Sequence, residues 1–309
     1  MVRPAPVPRV FLVPCPRTDP LSKGAYEVHL DSRPLRHLET KEIIRIPLSK
    51  PTLAHALAVE WDHLTSAQQA TKQHLTPLTS LICRALSIAS DDAAAASPSA
   101  APIRKSIVTA LLRYFDTDCL LCLSPAPSAS DPTSPAAALN AAGQSLRDVQ
   151  EETLRQVLRY LHARVWPGLE IEPVLDDESL FPRSQKPGVR EAVGGWVEGL
   201  DPWELAGLER ATLAGKGLLG AARLVVEWSE GPAGAGTKVS AGDSLLGEEE
   251  EERFGVEAAA RAASIEVDWQ IRRWGEVEDT HDVEKEDIRR QLGSVVLLVS
   301  GTGSVKPRL

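Results

Sequence analysis

Glu266, Asp268, Trp269, Gln270 and Arg273 fall together in the run SIEVDWQIRRWGEVEDTHD, residues 264–282. Two carboxylates, an amide and a guanidinium beside two tryptophans can make charge-assisted hydrogen bonds around aromatic anchors. That is recognition chemistry, and it marks a site without saying for what. At 3.6 residues per turn, Val267, Ile271 and Trp274 share one face, and Ile265 and Trp269 lie almost opposite. Glu266, Gln270 and Arg273 form the polar strip between them. Two apolar stripes predict a helix covered on both sides, with Trp274 in the core. A carboxylate at 266 would then need a partner, because burying an unpaired charge is costly. The spacing also predicts an ion pair between Asp268 and Arg272.

Other reactive side chains form no catalytic set. There is no G-x-S-x-G, no H-E-x-x-H and no glycine-rich dinucleotide fingerprint after a strand. The seven histidines are scattered, with no i, i+4 pair on one helix. Four cysteines, Cys15, Cys83, Cys119 and Cys122, are too few and too dispersed for a disulfide framework, which fits a reducing compartment. Cys119 and Cys122 make a C-x-x-C, but no second pair completes a tetrahedral zinc site and no basic neighbour lowers a thiol pKa. Buried, inert cysteines are expected. Gly215-Lys216-Gly217 fails as a phosphate loop: Arg210 stands where its first glycine belongs, and Gly217 replaces the magnesium-binding hydroxyl. The acidic triple Asp176-Asp177-Glu178 reads as loop solvation. Neither catalysis, a cofactor, a metal nor a small-molecule substrate is expected.

The elements that must position the 264–282 run read as an α+β fold. YEVHL (26–30) alternates, EIIRIPL (42–48) is β-branched, and Asp31-Ser32 marks a turn between them. A helix then carries Leu53, Leu57, Trp61 and Leu64 on one stripe, which makes Trp61 structural, and another starts at Thr76-Pro77. Beyond residue 143 the period is helical almost throughout, with a capping box and a first-turn proline at Asp201-Pro202-Trp203-Glu204. The expected division is a disordered segment at 1–24, a small N-terminal α+β domain of antiparallel strands then helices at 25–102, and a mainly α-helical C-terminal domain at 103–303. Ala/Ser/Pro-rich residues 124–143 and the Gly-rich, then acidic residues 230–252 are insertions.

Hydrophobic content of 43% and charged content of 25% are those of a soluble globular chain of 309 residues. A net charge of -9 argues against a nucleic-acid partner. No apolar run approaches the roughly 20 residues that span a bilayer, so no membrane insertion is expected. The first 17 residues carry three arginines and no acid. That resembles a mitochondrial presequence, although four prolines before position 15 break any amphipathic helix.

Four blocks in order carry a resemblance: YEVHLDSRPLR, LAVEWDHLTSAQQATKQHLTPLTSLICRAL, YFDTDCLLC and IEVDWQIRRWGEVEDTHD. Together they resemble the family of assembly chaperones that serve the α subunit of the ATP synthase catalytic head in mitochondria and α-proteobacteria. The E-W-D, T-D-x-L-L-C and Q-I-x-x-W-G elements are the specific ones. Ser32 departs from the family's turn glycine, and Val267 from one of its usual acids. The resemblance implies a mitochondrial-matrix chaperone, not an enzyme, whose partner is the ATP synthase α subunit. On that footing Glu266, Asp268, Trp269, Gln270 and Arg273 are the expected partner-binding residues, and Trp61 and Trp274 are structural. A non-catalytic helical adaptor for another mitochondrial protein is the alternative.

Overall fold

The computed structural model describes residues 10–15, 24–66, 68–97, 100–127, 136, 138–175, 181, 183–237, 253–277 and 280–300. A small antiparallel sheet comes first. Its central strand β2 (Ala25–Leu30) pairs along its whole length with β1 (Val10–Cys15), from Val10 opposite Leu30 to Cys15 opposite Ala25. Two short strands share the other edge of β2, β3 (Arg33–Pro34) at one end and β4 (Ile46–Pro47) at the other.

Two expectations change here. Val10–Cys15 falls in the segment expected to be disordered, yet it forms an edge strand. Its run VFLVPC is rich in strand-forming side chains, and an edge tolerates Pro14, which has no N–H to give. The 42–48 strand shrinks to Ile46–Pro47 plus a bridge between Arg36 and Ile43. At the β2–β3 turn the positive φ, 53°, belongs to Asp31. Aspartate tolerates that conformation, so Ser32 does not need to be glycine.

Helices follow in the expected order. α1 (Pro51–Asp62) covers the sheet with Leu53, Ala54 and Leu57. Next come α2 (Pro77–Ala94), α3 (Pro102–Asp116), α4 (Leu146–Arg164), α5 (Val189–Glu198), α6 (Pro202–Gly215) and α7 (Leu218–Trp228). The last described helices are α8 (Val256–Ala263), α9 (Ile265–Trp274) and α10 (His281–Ser300). One set of contacting buried side chains runs from Val28 of the sheet to Val299 of α10.

α10 holds the halves of the sequence together. It packs on α1 and α2 as well as on α6, α7 and α8. Gly207 permits the close approach of α6, since a Cβ there would lie 3.0 Å from Val299. Lys50, just before α1, donates to the Leu298 carbonyl at 3.0 Å, satisfying an acceptor near the end of α10. Burial pushes the Lys50 ammonium below its ordinary pKa, opposed by Asp201 and Glu230. Arg84 of α2 and Glu209 of α6 form a bidentate pair, both bonds 2.7 Å.

Several helices lack a capping side chain of their own and take a carboxylate from elsewhere. Glu60 of α1 accepts from the Leu78 and Thr79 N–H groups at the start of α2, at 2.7 and 2.9 Å. Asp91 of α2 accepts from Ile103 N–H of α3 at 2.7 Å. Asp118 accepts from Leu219 N–H of α7 at 2.8 Å. Each such bond satisfies a donor that a helix N-terminus would otherwise bury unpaired, about 1 kcal/mol apiece. The E-W-D and T-D-x-L-L-C blocks thus supply helix caps. Trp61 works at the same junction: half-buried, its Nε1–H donates to Thr79 Oγ1 at 2.8 Å.

Candidate functional site

α9 follows α8 directly and rests on α8 and α4. None of its residues is buried. The expectation of a helix covered on both faces therefore fails. Ile265 and Trp269 are half-buried on the side that meets α4, where Trp269 lines a cleft with Val149 and Thr153. The opposite face is open: Val267 is 36% exposed and Trp274 69% exposed, so Trp274 is not a core residue. Periodicity reports that a face is apolar, not that a neighbour covers it. Beyond α9, Val277 is 57% exposed, extending the uncovered apolar side chains past the helix end.

Glu266 and Gln270 are exposed one turn apart, with Gln270 Nε2 donating to Glu266 Oε1 at 3.2 Å. Glu266 is therefore solvated rather than trapped between buried faces. Asp268 is half-buried and lines clefts on both sides of α9, one toward α4 and α7, the other toward His281 and Lys285 of α10. The ion pair expected between Asp268 and Arg272 does not form among the described residues. Arg273 is exposed, with its guanidinium carbon 5.8 Å from the centre of the Trp274 ring. The structure thus brings the five expected binding residues onto one surface helix, on different sides of it.

Gly275 ends α9 at φ 91° and ψ 164°, a conformation open essentially to glycine. The 275–277 segment is then fixed to α10: Lys285 donates to Glu276 at 2.6 Å, and His281 Nδ1 accepts the Val277 N–H at 3.0 Å. α9 is a fixed platform rather than a frayed end.

The other candidates reduce to structure. Burial and the adjacent Asp118 push the Cys119 thiol up to about 12, and its Sγ donates to the Gly215 carbonyl at 3.5 Å. Burial also raises Cys122, with further contributions from Asp118 and Glu266. Such thiols stay protonated at neutral pH and are poor nucleophiles. Among the described residues no His/Cys/Asp/Glu group is placed to hold a metal ion. No described helix is long and apolar enough to cross a membrane. Residues 176–178 lie outside the described residues, as do most of 1–24, 128–135 of the first insertion and 238–252 of the second.

Sequence reasoning missed Arg223 and Arg261 beside α9 and read Arg272 only as an ion-pair partner of Asp268. Arg223 of α7, Arg261 of α8 and Arg272 line the cleft that Trp269 borders. The signal was present for Arg223, which with Glu227 four residues on makes the one pair of charges inside the apolar run LLGAARLVVEW.

Comparison with known proteins places this geometry in context. The sequence model of a family described as ATP12 chaperone protein matches residues 15–162. The chain is 25% identical to Protein atp12, mitochondrial, of Schizosaccharomyces pombe, over 90% of its own length and 78% of that protein's. It is 29% identical to Protein ATP12, mitochondrial, of Saccharomyces cerevisiae, again over 90% of its length and 79% of the other. Two crystal structures share the fold. Atu1473 from Agrobacterium tumefaciens has a TM-score of 0.60 at 18% identity, covering 96% of this chain and 84% of that one. Atp12 from Paracoccus denitrificans has a TM-score of 0.58 at 19% identity, covering 94% and 96%.

Proposed function

Because this chain belongs to the ATP12 chaperone family, a family of ATP synthase assembly factors, we propose that its client is the unassembled α subunit of the catalytic head. It holds that subunit in the mitochondrial matrix, covers the surface destined for the β subunit, and releases it as the α/β hexamer forms. The role is binding, without catalysis and without a bound nucleotide.

The observation that carries this reading is α9, a helix with no buried residue and a tryptophan 69% exposed at its end. A contiguous bare apolar surface is a hazard unless a partner covers it. Here the exposed side chains of Val267, Trp274 and Val277 stand among Glu266, Gln270 and Arg273, as aromatic anchors in transient interfaces are ringed by polar groups. A polar strip keeps the free chaperone soluble and limits affinity, which suits a protein that must let its client go.

Affinity capture from a mitochondrial matrix extract tests the client. The α subunit, without β, should dominate the captured protein. Capture of intact α/β hexamer, or of neither subunit, would refute the assignment.

A further inference from the structure

We propose that the groove beside Trp269 is a second half of the client site, one that accepts an acidic segment of the client carrying an apolar side chain. The proposal rests on the chaperone reading above and adds to it a chemistry opposite in sign to the Glu266 strip.

The groove has a floor, two rims and a continuation. Its deeper part is a cleft of about 450 Å³ enclosed by α4, α7, α8 and α9. Arg223 lines it and is only 5% exposed. Its guanidinium is held from several sides: its carbon lies 4.4 Å from the centre of the Phe254 ring and 5.1 Å from that of Tyr160, and Nη1 donates to the Gln156 carbonyl at 3.1 Å. Its Nε–H has no hydrogen-bond partner. Glu227, one turn on in α7, forms a buried ion pair with Arg223, but its Oε2 stands 3.7 Å from Nε, too far for a hydrogen bond. The pair balances the charge, yet neither Arg223 Nε–H nor Glu227 Oε2 has a hydrogen-bond partner, and an incoming carboxylate would take up the unused donor.

The rims repeat the sign. Arg261 and Arg272 line the same cleft, are exposed, and make no ion pair among the described residues. Asp268 is the acid that shares the lining with them. Trp269 and Arg272 also border the adjoining groove, which runs on past Leu139 to Arg273. Four arginines along one track stand out in a chain whose net charge is -9. Trp269, Phe254 and Ile265 give the same track apolar wall, so the matching ligand is a peptide of alternating acidic and apolar character rather than a small anion.

The test titrates the full-length chain with a fluorescein-labelled peptide of alternating glutamate and leucine, followed by fluorescence anisotropy. Binding is expected, weakening as salt rises, and a lysine–leucine peptide should not bind. The double variant Arg261→Glu/Arg272→Glu should bind at least about tenfold more weakly with an unchanged thermal melt, since both side chains are exposed. Equal binding by the variant would overturn the proposal, as would equal binding of the basic peptide or tighter binding of a single-stranded RNA oligonucleotide. A tenfold gain on replacing the glutamates at 248–252 with serine would also overturn it, since the groove would then serve the chain's own acidic run. A double variant that still captured α subunit as well as wild type would sink the groove alone and leave the chaperone reading standing. Failure of the wild-type chain to capture any ATP synthase subunit would sink both.

Discussion

A Cβ on Gly217 would stand 2.6 Å from Oδ1 of Asp118, so the two residues fit only because one is glycine. The backbone at Gly217 is extended, with φ at -162°, and imposes no demand of its own. The demand is steric. Asp118 reaches over residue 217 to accept from Leu219 N–H at 2.8 Å and from Leu120 N–H at 2.9 Å, closing the start of α7 onto the T-D-x-L-L-C segment. Gly217→Ala should therefore destabilise the fold by roughly 1–3 kcal/mol through overpacking and displacement of the cap. Urea unfolding measures it; a midpoint equal to wild type would show that the carboxylate can move aside without cost.

The same carboxylate gives the protein a pH signature. Burial raises Asp118 to about 6, against hydrogen bonds from Leu219, Leu120 and Leu218 that pull it down. A raised carboxyl pKa means the folded state holds the proton more tightly than the unfolded chain. Its contribution to stability is then full below the ordinary value near 3.8 and is lost as pH rises through about 6. Burial raises Glu60 and Glu204 in the same direction. Unfolding free energy should carry a falling component between about pH 4 and 6, and Asp118→Asn should flatten it. A slope identical in wild type and variant would assign the effect elsewhere.

Glu60 and Trp61 converge on Thr79. The carboxylate accepts from its backbone N–H at 2.9 Å and its hydroxyl at 2.5 Å, and the indole donates to that hydroxyl at 2.8 Å. Glu60→Ala should cost about 1–3 kcal/mol and Trp61→Phe about 1 kcal/mol. Because both act through one side chain, the double variant should depart from additivity by about 0.5 kcal/mol or more. Strict additivity would mean that Thr79 does not link them.

Cys119 should react slowly with iodoacetamide at neutral pH, far more slowly than in the unfolded chain. Its thiol lies near a pKa of about 12 and is engaged with the Gly215 carbonyl. Site-resolved mass spectrometry reads the rate. Modification as fast as in urea would reopen a reactive role for the C-x-x-C.

Much of this architecture was legible in the sequence, and the reasons differ by element. The Asp201 capping box and the Thr76-Pro77 helix start are local signals, and both helices begin where expected. Ile265 and Trp269 revealed one packed face of α9 by period alone. Tertiary pairings were not legible. Asp118 and Leu219 are 101 residues apart, and nothing in T-D-x-L-L-C says that its aspartate caps a distant helix. Trp274 misled for the converse reason: its period matches a core position, but α10 does not close over it. Arg223 was hidden in plain view, since its i, i+4 spacing to Glu227 reads as an ordinary helical ion pair and says nothing of the cleft it lines.

Trp274 separates stability from function. At 69% exposure, Trp274→Ala should change unfolding free energy by less than about 0.5 kcal/mol. It should nonetheless weaken capture of the client. A strongly destabilised variant would show that this side chain is packed after all.

The most direct test of the central claim is co-purification of the α subunit with Glu266→Lys. Glu266 is exposed and bonded only to Gln270 among the described residues, so the variant should fold and melt like wild type. If α9 is the client surface, this folded variant should no longer retain the α subunit or support α/β assembly. Retention and assembly at wild-type levels would contradict the account.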